Sequence, residues 1–82
     1  MDMNIQKYMA FVKTIELGSF TKAAEALSYS QSGISRMIQD LEKEWKVSLL
    51  ERGKNGVKLT GDGQKLLPYA KNVCEEYKKL QM

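Results

Sequence analysis

The sequence has no histidine and a single cysteine, Cys74, in 82 residues. Without histidine the commonest general acid–base group is missing. One cysteine closes no disulfide within the chain, and it has no Cys/His partners with which to hold a metal. These absences argue against an enzyme and predict no cofactor and no metal. Proline is nearly absent too, with Pro68 alone. No apolar run approaches the ~20 residues that cross a bilayer. The opening "MDMNIQKYMAF" lacks the apolar stretch of a secretory signal. The expectation is a cytoplasmic protein without a membrane partner. Acidic residues are outnumbered by basic ones, 10 to 13, for a net charge of +3 and a sequence pI of about 9.0. That balance suits an acidic partner such as nucleic acid, although many ordinary small domains share it.

A hydrophobic content of 43% is enough for one modest core, and the length allows one small domain. From about Asn4 to Leu17, Ile5, Tyr8, Met9, Val12 and Ile15 recur at helical spacing, with Phe11 beside them. The pattern predicts a helix with a core-facing stripe, ended by Gly18 as a left-handed cap. "FTKAAEAL" predicts a second helix of about two turns, capped by Ser19 or Thr21. Its packing face, Ala23, Ala24 and Leu27, is thin enough for another helix to cross closely. After a short break at Ser28-Tyr29, a third helix is predicted from about Gln31 to Trp45, capped by Ser30. Ile34, Ile38, Leu41 and Trp45 share its apolar stripe; Ser32, Ser35, Arg36, Gln39 and Lys43 lie opposite. Trp45 is therefore read as core rather than as a stacking platform.

"Asn55-Gly56" is a strong hairpin signal, because both residues tolerate positive φ. It predicts two short strands, Leu49 to Arg52 and Val57 to Thr60, with a basic tip of Arg52, Lys54 and Lys58. A last helix is predicted from Thr60 to Met82, with Thr60 as its cap and Asp62 in the first turn, where the helix dipole favours a negative charge. Gly63, Leu66, Ala70, Val73, Tyr77 and Leu80 follow at intervals of three and four, a heptad-like stripe. Pro68 inside it predicts a kink or a restart. The sequence stops without a Gly or Pro signal, which reads as part of a longer or truncated protein. Cys74 is read as a small apolar residue of this helix.

A short helix, a tight turn and a second helix with a polar outer face describe a helix-turn-helix. Gly33 costs about 1 kcal/mol against alanine inside a helix. Small residues are nonetheless useful where a helix end must approach base edges. Serines near a helix start are ordinarily caps and solvated surface, so the whole constellation carries the reading, not any one residue. Gln31, Ser32, Ser35, Arg36 and Gln39 are the candidate base contacts, since glutamine can read adenine and arginine guanine. Thr21, Lys43, Arg52, Lys54 and Asn55 are candidates for the DNA backbone or minor groove. For Arg36 and Lys43 the alternative is a solvated face paired with Asp40 or Glu44.

The stretch "GSFTKAAEALSYSQSGISRMIQDLEKEWKVSLLERGKNGVKLTGDG" resembles the N-terminal DNA-binding domain of LysR-type transcriptional regulators. The resemblance rests on Gly18-Ser19-Phe20-Thr21, Ala23-Ala24, Leu27, Ser30-Gln31, Ser35, Leu41-Glu42, Leu50, Arg52, Leu59-Thr60 and Gly63. It implies a mostly α fold: a winged helix-turn-helix of three helices and a two-stranded wing over 1–60, then a linker helix over 61–82 that pairs two subunits. The implied function is sequence-specific binding of double-stranded DNA, with the recognition helix about 31–45 in the major groove. The wing, about 49–60, is implied to grip the minor groove or nearby phosphates. The partner DNA is expected to be an A/T-rich partial palindrome bound by a homodimer through Leu66, Ala70, Val73, Tyr77 and Leu80. An effector site would require a C-terminal domain that this sequence does not contain. Three positions depart from the family pattern: Ser32 stands where proline is common, Gly33 where alanine is, and Lys46 where glycine is. The first two bear on base preference. The third puts lysine where a helix cap wants positive φ, although its charge suits the helix C-terminus. The rival reading is a protein-interaction module on the same fold. An RNA-binding domain would want exposed aromatics on a sheet, which are lacking.

Overall fold

The computed structural model describes residues 5–54 and 56–81. Four helices and one hairpin follow in the order α1 (Ile5–Leu17), α2 (Phe20–Leu27), α3 (Gln31–Trp45), β1 (Leu50–Gly53), β2 (Gly56–Leu59) and α4 (Gly61–Leu80). Each helix boundary has a local cause. Ser19 Oγ accepts the Lys22 N–H at 3.2 Å and caps α2, which decides between Ser19 and Thr21. Ser30 Oγ does the same for Gly33 N–H at 3.0 Å in α3, and Thr60 Oγ1 for Gly63 N–H at 2.9 Å in α4. The C-terminal ends of α1, α2 and α3 all turn through the left-handed region, at Gly18 (φ 69°), Ser28 (φ 63°) and Lys46 (φ 58°). Only the first of these is a residue type that adopts that conformation freely.

α1 is the central element, in contact with α2, α3, α4 and β2. Its deepest residues are Ala10, Phe11 and Thr14, all fully buried. Of the stripe that periodicity picks out, Val12 is buried with them, and Ile5, Tyr8, Met9 and Ile15 are only partly buried around them. A helix covered on several sides buries more than a single stripe, so one period under-reads it. The Thr14 hydroxyl has no hydrogen-bond partner among the described residues. α3 packs on this centre through Ile34, Ile38 and Leu41. Trp45 stacks on Tyr8 with ring centroids 5.6 Å apart, which joins α3 to α1 as a core residue would.

α4 is continuous over 20 residues, with Pro68 inside it. The predicted restart at Pro68 does not occur. Proline removes one N–H from the ladder, but Pro68 and Gln64, the residue whose carbonyl loses that donor, are both exposed, so water can serve instead. Ala70 and Cys74 are buried within the chain, and Leu66 is packed against the core. This narrows the expected seam of Leu66, Ala70, Val73, Tyr77 and Leu80: Leu66 packs partly on the core and Ala70 is used inside the chain, where its small side chain lets α4 approach closely. Burial also pushes the Cys74 thiol up, which disfavours its reactive thiolate.

The wing pairs Leu50 with Leu59, Glu51 with Lys58, Arg52 with Val57 and Gly53 with Gly56. These pairs join the two predicted strands, Leu49 to Arg52 and Val57 to Thr60, in the order expected, and the ladder extends one pair further to Gly53 and Gly56, with Gly56 opening β2 at φ 116°. Asn55 lies outside the described residues.

Candidate nucleic-acid interface

α3 buries Ile34, Ile38 and Leu41, and the 3.6-residue period turns its other side outward. Gln31, Ser32, Arg36, Gln39 and Lys43 are exposed on that side, and Ser35 is half-buried at its edge. Gln31, Arg36, Gln39 and Lys43 make no side-chain hydrogen bond or ion pair among the described residues. The alternative pairing of Arg36 or Lys43 with Asp40 or Glu44 is not formed. Glu44 is held instead by Lys7 on α1, at 2.7 Å. Ser32 Oγ lies 3.2 Å from Ser30 Oγ, so its hydroxyl is shared with the cap.

The wing stands beside this face. Arg52 on β1 reaches across to α3, where its Nη2 donates to Ser35 Oγ at 2.7 Å. The same guanidinium lies over the Phe20 ring, 4.0 Å from the centroid, at the start of α2. One side chain thus ties β1, α2 and α3 together. Lys54 and Lys58 are exposed on the wing, and Thr21 is exposed at the start of α2. The second outward surface is apolar. Val73, Tyr77 and Leu80 of α4 form an open cleft with Ile5 of α1, flanked by Asn72 and Glu76. Leu80 is 85% exposed. No helix of the described residues is long and apolar enough to cross a membrane.

The family model for bacterial regulatory helix-turn-helix proteins of the lysR family matches residues 5–64. This chain belongs to the LysR family. It is similar to the transcriptional regulator GalR of Pseudomonas putida, 42% identical over 73 residues that make up 89% of this chain and 18% of that protein. It is also similar to BenM of Acinetobacter baylyi, 44% identical over 68 residues, 83% of this chain and 22% of BenM. The chain therefore spans about a fifth of the length of these relatives. Among solved structures, the BenM DNA-binding domain in complex with catB site 1 DNA superimposes with a TM-score of 0.87 at 38% identity, covering 95% of this chain and 88% of that one. An OxyR mutant of Corynebacterium glutamicum gives a TM-score of 0.93 at 32% identity, over 99% of this chain and 26% of that one. The fold is accordingly the DNA-binding helix-turn-helix domain of a LysR-type transcription regulator.

Two residues that hold this LysR-type interface in place carried no role in the sequence reading. Phe20 is the platform for Arg52. Glu42 lies on the inner side of α3, and its Oε2 accepts the Leu49 N–H at 2.7 Å, with the Leu50 N–H further off at 3.4 Å. The carboxylate thereby fixes the chain where it enters the wing. Both residues fall within the stretch that resembles the family, but only their tertiary partners reveal what they do. A third constraint comes from α4. The Thr60 hydroxyl donates to the Ser48 carbonyl while its N–H donates to the Leu49 carbonyl at 3.0 Å. Gly63 faces that same carbonyl, and a Cβ there would collide with it.

Proposed function

We propose that this LysR-type domain binds double-stranded DNA sequence-specifically as a homodimer. In this reading the first half of α3 enters the major groove and presents Gln31, Ser32, Ser35, Arg36 and Gln39 to base edges. Thr21, Lys43, Lys54 and Asn55 are assigned to phosphates or the minor groove, whereas Arg52, a candidate for the same role by sequence, is engaged with Ser35 and Phe20, and residues 1–60 form the reading unit. Residues 61–82 pair the two copies through Val73, Tyr77 and Leu80, with Ile5 at the margin. The target is an A/T-rich partial palindrome with one half-site per copy. A small-molecule effector belongs to this reading only if a C-terminal effector domain accompanies the chain. The domain reads and positions; catalysis is not part of its role.

The observation that carries this reading is the bare polar face of α3, with Arg36 and Lys43 free of carboxylate partners among the described residues. A module built only for protein contact has no use for two unpaired cations beside Gln31 and Gln39. The similarity to a BenM domain solved on catB site 1 DNA supports it independently. Fluorescence anisotropy against an A/T-rich palindrome and a scrambled duplex, at two salt concentrations, is the test. Specific binding should exceed non-specific binding by about 10³ or more. The logarithm of affinity should fall by about 0.9 per phosphate contact for each decade of salt. Equal, salt-insensitive binding to both duplexes would instead identify an interaction module.

A further inference from the structure

Ser35 is the one candidate base contact whose hydroxyl is already engaged by another element. A serine hydroxyl has one proton to donate and two lone pairs to accept with, and rotates to suit. A guanidinium can only donate. The 2.7 Å bond from Arg52 Nη2 therefore occupies one of the two lone pairs of Ser35 Oγ, and the cationic donor draws charge from the oxygen, which makes the Ser35 O–H the stronger donor and the remaining lone pair the poorer acceptor. It is the one hydrogen bond that Ser35 Oγ makes among the described residues, so its proton is not spent on the preceding turn of α3. Arg52 has little freedom to release it. The Phe20 ring supports the guanidinium from one side, and strand pairing with Val57 fixes its backbone.

We propose that Arg52 sets the hydrogen-bond polarity of Ser35, so that Ser35 meets DNA as a donor. It then reads an acceptor in the major groove: purine N7, guanine O6 or thymine O4. It disfavours the cytosine amino group, which can only donate. Arg52 is on this view a positioning residue that sharpens base choice from outside the groove. The inference rests on the reading above that α3 enters the major groove.

Selection from a randomised duplex library tests it, using the parent domain, Arg52→Met, Arg52→Lys, Ser35→Ala and the Arg52→Met/Ser35→Ala double variant. Methionine keeps an apolar chain over Phe20 and removes the donors; lysine keeps a donor. Ser35→Ala should change the preference at one base position by about three- to tenfold, the worth of one hydrogen bond. Arg52→Met should admit cytosine at that same position by a similar factor. Arg52→Lys should retain the parent preference, and Arg52→Met should add nothing at that position once Ser35 is alanine. Uniformly weaker binding by Arg52→Met, with base preference intact and a shallower salt dependence, would make Arg52 a phosphate contact and overturn the proposal. If Ser35→Ala leaves every preference unchanged while selective binding persists, the proposal fails but the DNA-binding reading stands. If the parent selects no sequence, both fail. Should Arg52→Met not fold, polarity is read with the parent protein on duplexes carrying 7-deazapurine or 4-thiothymine at that position. Removal of the acceptor should cost about three- to tenfold, and equal affinity overturns the proposal.

Discussion

α3 and α4 both bury one face against α1, and they differ in what the other face offers. The outer face of α3 is polar, with Gln31, Arg36, Gln39 and Lys43 exposed and, among the described residues, without side-chain partners. The outer part of α4 is apolar around Val73, Tyr77 and Leu80. Polar groups left in water cost little, whereas an apolar cleft in water is a standing cost that a partner relieves. The fold thus leaves two surfaces uncovered for opposite reasons. On the proposed reading, one takes a hydrated, charged partner and the other a dry one. The two are mechanically joined, because α4 starts where Thr60 and Gly63 grip the segment that leads into the wing.

The largest effect is expected from charging the dry surface. Val73→Glu puts a carboxylate into the proposed seam, where an unpaired buried charge is costly. The variant should sediment as a monomer, keep its helical circular dichroism, and bind a full palindrome about 10²–10⁴-fold more weakly through lost avidity. An unchanged dimer with unchanged affinity would remove α4 from the pairing surface. It would leave the α3 reading untouched.

Next in size is the joint between the two surfaces. Gly63→Ala places a methyl against the Leu49 carbonyl, with Leu59 Cδ2 only 3.0 Å away. Backbone cannot give way as a flexible side chain can, so the cost should reach the upper end of overpacking, about 3 kcal/mol. A urea titration reads it as a lower midpoint. A midpoint equal to the parent's would mean that the α4 start can slide, and the two surfaces would then be uncoupled.

The wet surface is tested by Gln31→Ala, which should lose roughly 1–3 kcal/mol on the preferred site and blur discrimination at one base position. Dimerisation should not change. Loss of dimerisation along with affinity would show that the two surfaces are not separable.

The parts of this molecule that were legible in the sequence are those with local causes. The bounds of α3, the Ser30 and Thr60 caps and the Gly18 turn follow from neighbouring residues. The parts that were not legible depend on distant ones. Phe11 and Thr14 outrank the periodic stripe because α1 is covered from several sides. Arg52 is recognisable as a basic wing residue from sequence. Its bond to Ser35 and its seat on Phe20 are separated from it by 17 and more residues, and no local pattern encodes them. The chemistry of the candidate interface was therefore readable, and its wiring was not.

The smallest expected effect lies at the far end of α3 and separates stability from recognition. Gly18, Ser28 and Lys46 end three successive helices in the same left-handed conformation, and only Gly18 does so without a Cβ penalty. Lys46→Gly should therefore stabilise the domain by about 0.5–1 kcal/mol, seen as a higher denaturation midpoint. The helix dipole works against this gain, since lysine at a C-terminus contributes about 0.3–1 kcal/mol when its charge is well placed. Lys46 is exposed, so salt screening puts that contribution at the low end and the glycine gain wins. Raising the salt concentration should widen the advantage of the glycine variant, because screening removes what lysine contributes and leaves its backbone strain. Lys46 stands 15 residues beyond Gln31, about 22 Å along the helix. DNA affinity should therefore stay within about twofold, the scale left to one screened surface charge. A large loss of affinity would extend the interface to the C-terminal end of α3, with Lys46 holding a phosphate and its strained backbone kept for that contact.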